Sequence, residues 1–519
     1  MFELYDPNST DNQRAEQAFR DGIHQTASDL PSLTAQSALS LVERRRPRWR
    51  GWMILLAAIV LLAGAGVLFY PMLFRADQAS DRQDPMPSAW APVTSESATG
   101  PLEVSSDAST LSPAEEPVGS SLPAPTLESG FRAAGVSRLS AAPAMQVSTF
   151  AGSGGNDVLS SVASLDDGGV FAFGTTDSND GDFEGMNPDA PITAGLRVTS
   201  SARGKVSLTI DSRGQQSVLS ATSSGDNAVI VAGPELPVAG GAVANGVARL
   251  NARGDVEWTN GLDSAVLDFF TAVAVAKDGS IVAAGKAGSN ARCVLARFSP
   301  AGALDWMKDY GACPAYFSGV AVGADNSIYA AGSIDAGGID GAVLARFDEG
   351  GTPEWVKAYG STMMGEFKAV QVTPDDNLVV AGYTDVGNSV DATLAEIDPQ
   401  GEVVWGMTYG GAGDDRLNGV TVTHDGQITV AGATSSADGS FFGTEPVGGG
   451  SENTAGVVAR FTAEGVMKWS RLVSVGEADH LYGIDVDARG RVVAVGETGS
   501  ITDGVIGNDA LLVQFASEK

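Results

Sequence analysis

The sequence predicts an all-β fold, a seven-bladed β-propeller of four-stranded antiparallel blades, with one N-terminal transmembrane helix. Three observations carry this prediction: a strand–turn–strand unit that recurs seven times after residue 146, a strand pair with a tryptophan between those units, and an uncharged apolar run near the N-terminus. Four short strands per repeat can form twisted sheets that pack side by side in a ring. We divide the chain into a cytoplasmic tail (1–50), a transmembrane helix (51–74), a disordered linker (75–145) and a propeller (146–519).

Composition and charge limit the classes of function. The chain has 519 residues, with 63 Asp and Glu against 32 Lys and Arg, and a formal net charge of −31. Because a surface of this sign repels phosphate backbones, we expect no nucleic acid partner. Two cysteines and three histidines also exclude a cysteine-rich zinc module.

The N-terminal part predicts a membrane anchor. Residues 51–74 are uncharged and mostly apolar, and a helix of this length spans a hydrocarbon layer about 30 Å thick. Arginines crowd residues 44–50, whereas acids dominate after the run, and this asymmetry places the N-terminus in the cytoplasm. We therefore expect a single-pass protein of the inner (plasma) membrane with an uncleaved signal anchor and a periplasmic propeller. A cleaved signal peptide is the alternative.

Two segments flank this helix. Residues 1–50 hold scattered apolar residues, and we interpret them as a mostly disordered tail, or alternatively as a docking site for a cytoplasmic partner. Residues 75–145 are rich in Pro, Ser, Ala, Thr and Glu and have few large apolar residues. Such a composition cannot bury enough surface to offset the entropy of ordering, so we predict a disordered linker.

The repeat is clearest at residues 419–432, GVTVTHDGQITVAG, where two strands of alternating pattern flank an Asp-Gly turn. The second strand ends in glycine in all seven copies, at Gly174, Gly233, Gly285, Gly332, Gly382, Gly432 and Gly496. Another strand pair, such as VLARFDEGGTPEWVKAYG at 343–360, lies between copies. Tryptophans hold one position in this pair and are predicted to lock the blades together: Trp258, Trp306, Trp355, Trp405 and Trp469.

The two ends of the repeat region predict a closed ring. Residues 146–152 match the fourth strand of a repeat, and residues 509–515 match the third. One blade would therefore be completed by both ends of the region. An open sandwich and two smaller β domains are the alternatives.

Two pairings are expected to be structural. Cys293 and Cys313 would lie at one end of a strand hairpin, where they form a disulfide or remain two buried thiols. Arginines recur on the third strands, and we interpret them as partners of nearby acids in adjacent blades: Arg249, Arg297, Arg346 and Arg460.

The repeat resembles a known family. The VAG ending, the Asp-Gly turn, the (L/V)ARFD-x-x-G strand pair and the W-x-x-x-YGG ending are together similar to bacterial seven-bladed propeller repeats of the SBBP type. The loops TTDSNDGDFEG (175–185) and ATSSADGSFFG (433–443) are similar to loops of that family. The resemblance covers the propeller region and implies a secreted or surface-facing propeller, but no single activity. The G-x-x-x-W spacing, as at Gly401 and Trp405, is also similar to the docking motif of quinoprotein-type propellers.

The longest loops follow the second strand of several repeats, so they share one face, and that face is acidic. Loops on a rigid scaffold often carry recognition, and we take these acids as candidate binding residues: Asp177, Asp180, Asp182, Glu184, Asp414, Asp415, Asp438 and Glu445. Asx-turns are the preferred interpretation of the acids, and Ca²⁺ ligation is the alternative. Because the spacing fails the EF-hand pattern, we expect no cofactor.

These features predict a membrane-anchored, extracytoplasmic scaffold that binds protein or glycan ligands of the cell envelope through its acidic loop face. The alternative is a transmembrane signalling or envelope-assembly subunit whose tail reports propeller occupancy. We do not expect an enzyme, because His424 is placed in a tight turn and His480 in a loop, and neither has a matched nucleophile. A propeller hydrolase or lyase is the lesser alternative.

Overall fold

The computed structural model describes residues 122–123, 125–134, 139–152, 155–185, 194–200, 206–211, 218–237, 243–262, 267–287, 292–312, 315–336, 339–359, 365–441, 454–502 and 505–518. The predicted tail, the transmembrane helix at 51–74 and most of the predicted linker lie outside these residues. Within the described ranges, no helix has the length and apolar character needed to cross a membrane. The helical element described is a 3₁₀ turn at Gly181–Phe183.

The described residues form seven antiparallel sheets, and four strands of each sheet make one blade. In blades 1 to 6 the strands follow chain order from the centre of the ring outwards. The first three blades contain β4 (Asp157–Ser164), β5 (Val170–Thr176), β6 (Ala194–Ser200) and β7 (Val206–Asp211); β8 (Ser220–Ser223), β9 (Val229–Pro237), β10 (Val243–Leu250) and β11 (Val256–Leu262); and β12 (Phe269–Val275), β13 (Ile281–Ala287), β14 (Arg292–Phe298) and β15 (Leu304–Ala312).

The next three blades repeat the same order. They contain β16 (Ala315–Val322), β17 (Ile328–Ala336), β18 (Ile339–Phe347) and β19 (Pro353–Tyr359); β20 (Gly365–Val372), β21 (Leu378–Asp385), β22 (Val390–Ile397) and β23 (Val403–Tyr409); and β24 (Asp415–Val422), β25 (Ile428–Thr434), β26 (Ala455–Phe461) and β27 (Met467–Val473). The first strand of each blade lies beside the first strands of both neighbouring blades, around a central channel.

Blade 7 closes the ring with strands from both ends of the propeller region. It contains β28 (Asp479–Val486), β29 (Val492–Thr502), β30 (Val505–Phe515) and, as its outer strand, β3 (Met145–Phe150). Strand β3 pairs antiparallel with β30, from Met145 opposite Phe515 to Phe150 opposite Ala510. The predicted seven-bladed all-β architecture and its closure are therefore confirmed, and an open array is excluded.

The tight turns of the blades need residues that tolerate positive φ. Gly426, in the Asp-Gly turn of blade 6, has φ of 78° and donates its N–H to the Thr423 carbonyl at 2.8 Å. Asn326 and Asp376 hold the same place in blades 4 and 5, with φ of 65° and 67°. Asn and Asp enter this region more readily than other side chains, so the turn is preserved without glycine.

Outer strands are locked to the next blade by an aromatic pair. The Trp306 ring packs against Gly351 of blade 4, where a Cβ would lie 2.7 Å from a ring carbon. The Tyr310 hydroxyl donates to the Gly351 carbonyl at 2.7 Å. Equivalent contacts join Trp258 to Gly302, Trp355 and Tyr359 to Gly401, and Trp405 and Tyr409 to Gly465.

The last predicted tryptophan, Trp469, meets the chain end instead of a turn. Its Nε1 donates to Glu518 at 2.5 Å, and its ring lies 5.5 Å from that of Phe515. In blade 7 no turn joins the third strand to the fourth, because that blade is assembled from the two ends of the region. Glu518, three residues after the end of β30, therefore replaces the glycine turn as the partner of the tryptophan.

The arginines of the third strands pair with acids of their own blade, of the next blade, or of both. Arg249 contacts Asp226 and Glu257, and Arg346 contacts Asp325 and Glu354, all in the same sheet. Arg297 contacts Asp278 of its own blade and Glu349 of the next blade, the latter at 2.9 Å. Arg460 of blade 6 lies 3.5 Å from Glu518, which follows the third strand of blade 7, so the predicted pairing between blades is present at Arg297 and Arg460. The predicted pairing between blades is wrong for Arg249 and Arg346, because the first turn of each blade ends beside its third strand.

A short segment runs along the outer edge of the ring. Strands β1 (Thr126–Glu128) and β2 (Phe131–Ala133) pair parallel with the outer strands of blades 4 and 5. Ser140 continues the path by donating its N–H to the Lys468 carbonyl of blade 6 at 2.7 Å. We call residues 122–144 the outer belt.

The sequence analysis assigns the outer belt to the disordered linker, whereas its described residues pair with the blades. The Phe131 ring packs over Gly406, where a Cβ would lie 3.0 Å from a ring carbon. Leu122 packs against the core between blades 3 and 4. A few apolar contacts and the unpaired backbone groups of edge strands suffice to order this low-complexity sequence.

Replacing the Tyr359 hydroxyl tests the lock between blades. Tyr359→Phe removes the donor to Gly401 and leaves a buried carbonyl unpaired, so we expect the free energy of unfolding to fall by about 1 kcal/mol. Urea unfolding followed by tryptophan fluorescence measures the change. Tyr329→Phe, at another buried tyrosine of blade 4, is the matched control. Equal midpoints for the two variants would contradict the lock.

Candidate functional site

The two faces of the ring carry different connections. The upper face, as we define it, holds the links between the second and third strands and the links from one blade to the next. The lower face holds the tight turns that join the first strand to the second and the third to the fourth. The predicted acidic residues that the structure describes lie on the upper face, in blades 1 and 6.

In blade 1 these acids hold the loop in place. Asp182 accepts the N–H of Ala151 at 3.0 Å, and Asp177 accepts the N–H of Asn156. Asp180 precedes the 3₁₀ turn, and Glu184 follows it as an exposed residue. The carboxylates of Asp177 and Asp182 are therefore engaged by backbone N–H groups.

Blade 6 repeats this arrangement. Asp438 accepts the N–H of Ala412 at 2.8 Å, and Asp414 accepts the N–H of Val390 at 3.1 Å. Asp415 is fully buried and accepts from Gly411 N at 3.0 Å and from the Ser436 hydroxyl at 2.7 Å. Glu445, the last predicted acid, lies outside the described residues.

Sequence analysis did not single out Asp157, which is the blade 1 equivalent of Asp415. It is fully buried and accepts from the hydroxyls of Thr176 and Ser178, the latter at 3.0 Å. Burial raises the pKa of Asp157 to about 6 and raises the pKa of Asp415. Each carboxyl thus fixes the start of its blade beneath the upper loops.

Within the described ranges, no group of three or more His, Cys, Asp or Glu side chains could hold a metal ion. The described acids of blades 1 and 6 act mainly as acceptors for backbone N–H groups in neighbouring segments of the upper face. The hydrogen bonds of Asp177, Asp182, Asp414 and Asp438 join residues 21 to 31 positions apart, so they are not the local Asx-turns that we predicted.

The central channel lies between the first strands of all seven blades and has a volume of about 390 Å³. Val, Ala, Gly, Ser and Thr residues line most of it, and the larger polar groups are Lys368, Gln371, Asn418, Tyr482 and Asp485. Asp485 accepts the N–H of Ser164 in blade 1 at 2.7 Å, and burial raises the pKa of this carboxyl to about 6.

A ring of side chains ties the blades together around the channel. In four blades the pairing of the first strand with the second shifts by one residue, as in a β-bulge. The side chain of the residue at this shift donates a hydrogen bond to a backbone carbonyl of the next blade. These donors are Ser160 to Val218 at 3.0 Å, Thr271 to Phe317 at 2.6 Å, Ser318 to Phe367 at 2.8 Å and Asn418 to Leu481 at 2.8 Å. Lys368 in blade 5 and Tyr482 in blade 7 occupy the same position but have different partners.

In blade 5, Lys368 belongs to a charged cluster at the upper end of the channel. Lys368 Nζ lies 2.7 Å from Glu366 Oε2, and the Tyr383 hydroxyl donates to the same oxygen at 3.2 Å. Lys368 Nζ lies 5.9 Å from the centre of the Tyr383 ring, and Arg416 Cζ of blade 6 lies 5.0 Å from it. The cluster therefore combines two cations, an aromatic ring and a buried carboxylate.

The blade 7 exception adds a second cluster. The Tyr482 hydroxyl donates to Glu497 Oε1 at 2.5 Å, and Asn508 Nδ2 donates to Oε2 at 2.9 Å. His480 Nδ1 lies 3.7 Å from Glu497, and its ring stacks beside Tyr482. The sequence analysis places His480 in a loop, whereas it lies on strand β28.

We define the channel mouth as Glu366, Lys368, Tyr383, Arg416, His480, Tyr482 and Glu497. Apart from His480, these residues were not predicted, because they stand on strands and not in the long loops. The available signal was a break in the repeat: Lys and Tyr replace the Ser, Thr or Asn that four other blades have at one position. Elsewhere this position carries a side chain that joins two blades by a hydrogen bond. A charged or aromatic residue at this position therefore indicates a local function.

Of the two cysteines predicted to form a disulfide, only Cys293 lies in the part of the chain that the structure describes. Cys293 lies on β14, is 2 % exposed and is disulfide-bonded. Its predicted partner, Cys313, lies outside the described residues.

No family model matches the chain. No curated protein matches it either.

Several solved structures are similar at low identity. Sqt1 from Chaetomium thermophilum is 11 % identical, covers 72 % of this chain and 100 % of its own, and has a TM-score of 0.38. XC5397, a gluconolactonase from Xanthomonas campestris, is 14 % identical over 55 % of this chain and 86 % of its own, with a TM-score of 0.33. A puromycin hydrolase is 15 % identical over 66 % and 50 %, with a TM-score of 0.35.

These TM-scores are low enough that the likenesses support no inference about ligand or activity. The strand order and ring closure identify the class directly: the chain carries a seven-bladed β-propeller scaffold.

Stability should depend on pH through Asp157. Its pKa is about 6 in the native state against 3.8 as the ordinary value, so the native state binds a proton more tightly than the unfolded state does. Stability therefore rises as pH falls from 7.5 to 5, and this carboxyl contributes about 1 kcal/mol of the rise.

Asp157→Asn removes that contribution, which urea unfolding at pH 5 and pH 7.5 can measure. We expect the stability difference between the two pH values to shrink in this variant. Asp255→Asn, at an exposed turn, is the control and should leave the difference unchanged. An undiminished difference in Asp157→Asn would show that this carboxyl is not the titrating group.

Proposed function

We propose that this chain is a membrane-anchored, extracytoplasmic scaffold that binds a protein ligand of the cell envelope at its channel mouth and upper face. The proposal rests on one observation: Lys368 and Tyr482 stand where four other blades have a side chain that donates a hydrogen bond to the next blade. Both residues give up a contact between blades and instead form polar clusters that face the upper opening of the channel. Because these two side chains replace hydrogen bonds that stabilise the ring, we assign them to ligand binding.

The upper face is a rigid surface, which favours binding. Asp177, Asp182, Asp414 and Asp438 hold its loops through backbone N–H groups. A ligand that meets preformed loops does not have to supply the free energy of ordering them. We therefore assign the predicted acids a supporting role and place the binding contacts at the channel mouth.

Placement outside the cytoplasm is supported by the chain's chemistry. The disulfide-bonded Cys293 suits an oxidising compartment, since disulfides are rare where cellular thiols stay reduced. The apolar run at 51–74 and the arginines at 44–50 favour an anchor with a cytoplasmic N-terminus. The repeated loops over the buried rings of Phe183 and Phe441 favour membership of the SBBP-type repeat family.

We propose binding and not catalysis because both carboxylates of the mouth are already paired. Glu366 holds Lys368, and Glu497 is engaged by Tyr482 and Asn508. A general base or nucleophile needs an activated group within reach of substrate. Pairing of this kind orients side chains for recognition.

Site-specific photo-crosslinking in cells tests which face binds. A photoreactive residue at Val386, which is 50 % exposed beside the upper end of blade 5, should give protein adducts. The same residue at Val466, which is 53 % exposed in a lower-face turn, should give none and serves as the matched control. Adducts at Val466 alone, or at both sites equally, would overturn the assignment to the upper face.

A further inference from the structure

The outer belt passes close to a sheet edge that it does not cover. Strand β1 pairs with the outer strand of blade 4, and β2 pairs with the outer strand of blade 5. In blade 3, the outer strand β15 pairs with β14 on its inner side and with no other strand among the described residues. Backbone groups on the outer side of β15 can therefore pair with a further segment, as those of blades 4 and 5 do.

The belt begins beside blade 3. Its first described residue, Leu122, packs on the buried cluster between blades 3 and 4, which includes Tyr310 of β15 and Val356 of β19. The belt then passes the next junctions in order, because Phe131 packs between blades 4 and 5 and Leu139 packs between blades 5 and 6. The residues that precede Leu122 in the chain therefore start next to the uncovered edge of β15.

A lysine on this edge lacks the acids that its counterpart in blade 4 binds. The Nζ atom of Lys357 on β19 lies 3.4 Å from Glu128 of the belt and 2.6 Å from Glu402 of blade 5. Lys308 holds the same place on β15, and each lysine lies over the ring of the tryptophan two residues before it, at 5.8 Å for Lys308 and 5.9 Å for Lys357. Thr352 stands where blade 5 has Glu402, and no ion pair of Lys308 is present among the described residues.

The acids near Lys308 do not take the place of a belt carboxylate. Three acids of β15 and of the blade 4 turn that Lys308 covers have partners: Asp309 with Arg292 at 2.8 Å, Asp348 with the N–H of Thr352 at 2.7 Å, and Glu349 with Arg297 at 2.9 Å. Asp305 is exposed at the position of Glu354, which in blade 4 contacts the arginine of the third strand. Blade 4 carries similar acids, and Lys357 still binds Glu128 there. Lys308 can therefore bind an acid of a further segment in the same way.

The sequence before Leu122 supplies such acids. Residues 109–121, which lie outside the described residues, read STLSPAEEPVGSS, and Glu115 and Glu116 are their charged residues. Six residues of extended chain span up to about 20 Å, so Glu116 can reach Lys308 from the position of Leu122. The two prolines of this segment suit a strand that pairs on one side only, because proline has no N–H to donate on the other.

We infer that residues 109–121 of the same chain extend the outer belt onto blade 3, where they pair parallel with β15 and place Glu115 and Glu116 beside Lys308. The belt then covers the outer strands of three successive blades, and the chain leaves the ring at blade 3. This interface within the chain does not depend on the proposed binding at the channel mouth.

Photo-crosslinking of the purified full-length chain in detergent identifies what covers the edge. A photoreactive residue at Thr352, which is exposed after the turn that Lys308 covers, should form adducts with residues 109–121, located by tandem mass spectrometry. The same residue at Asp255, exposed in the matching turn of blade 2, should not form them and is the matched control. Adducts with other parts of the chain alone, equal adducts at both sites, or none would overturn the inference.

An isotope mixture shows which chain supplies the segment. When labelled and unlabelled chains are mixed before irradiation, each adduct should join two parts of one chain. Adducts between a labelled and an unlabelled chain would assign the edge to a second copy and overturn the inference. In cells, adducts of Thr352 with another protein in place of residues 109–121 would assign the edge to a partner and overturn it as well.

A charge exchange tests the ion pair. Lys308→Glu should lower the yield of the adduct about fivefold, because it replaces an attraction with a repulsion. Adding Glu115→Lys and Glu116→Lys to this variant should restore the yield, which would not happen if Lys308→Glu had only unfolded the blade. Asp107→Lys, at an acid outside the segment, is the control and should not restore it. An unchanged yield in Lys308→Glu, or no recovery after the exchange, would overturn the assignment of Lys308.

Discussion

Every blade has two apolar faces, and this requirement controls the rest of the structure. A four-stranded sheet such as β20 to β23 buries Phe367 against blade 4 and Val379 against blade 6, so neither face can be left in water. Only a closed ring covers both faces of all seven sheets. The pairing of β3 with β30 is therefore the contact on which the fold depends, because it supplies the seventh blade with its outer strand.

The architecture could be predicted from the sequence because it repeats. Seven glycine-ended strands, five aligned tryptophans and the phase of the two ends were enough to specify seven blades and their closure. The outer belt could not be predicted in the same way. Its strands have three residues each, and they exist because Phe131 and Leu122 find apolar contacts that composition does not reveal.

The candidate site was only partly predictable, because one residue type serves two purposes. Asp177 and Asp415 are polar residues near long loops, but hydrogen bonds from backbone N–H groups decide their role, and such geometry cannot be read from the sequence. Lys368 and Tyr482 depart from the repeat in the sequence. They lie on strands, however, whereas binding residues are expected mainly in loops. In a repeat protein, the position that breaks the pattern carries more information about function than the most charged segment.

The outer belt has a mechanical consequence. Any pull that arrives from the N-terminal side of Leu122 reaches β1 and β2 before it reaches β3. These strands lie parallel to the outer strands of blades 4 and 5, and the ion pair of Glu128 with Lys357 at 3.4 Å adds to the first of them. Through these two strands, such a pull therefore acts first on blade 4 and then on blade 5. It reaches β3, the strand that closes the ring, only after these contacts.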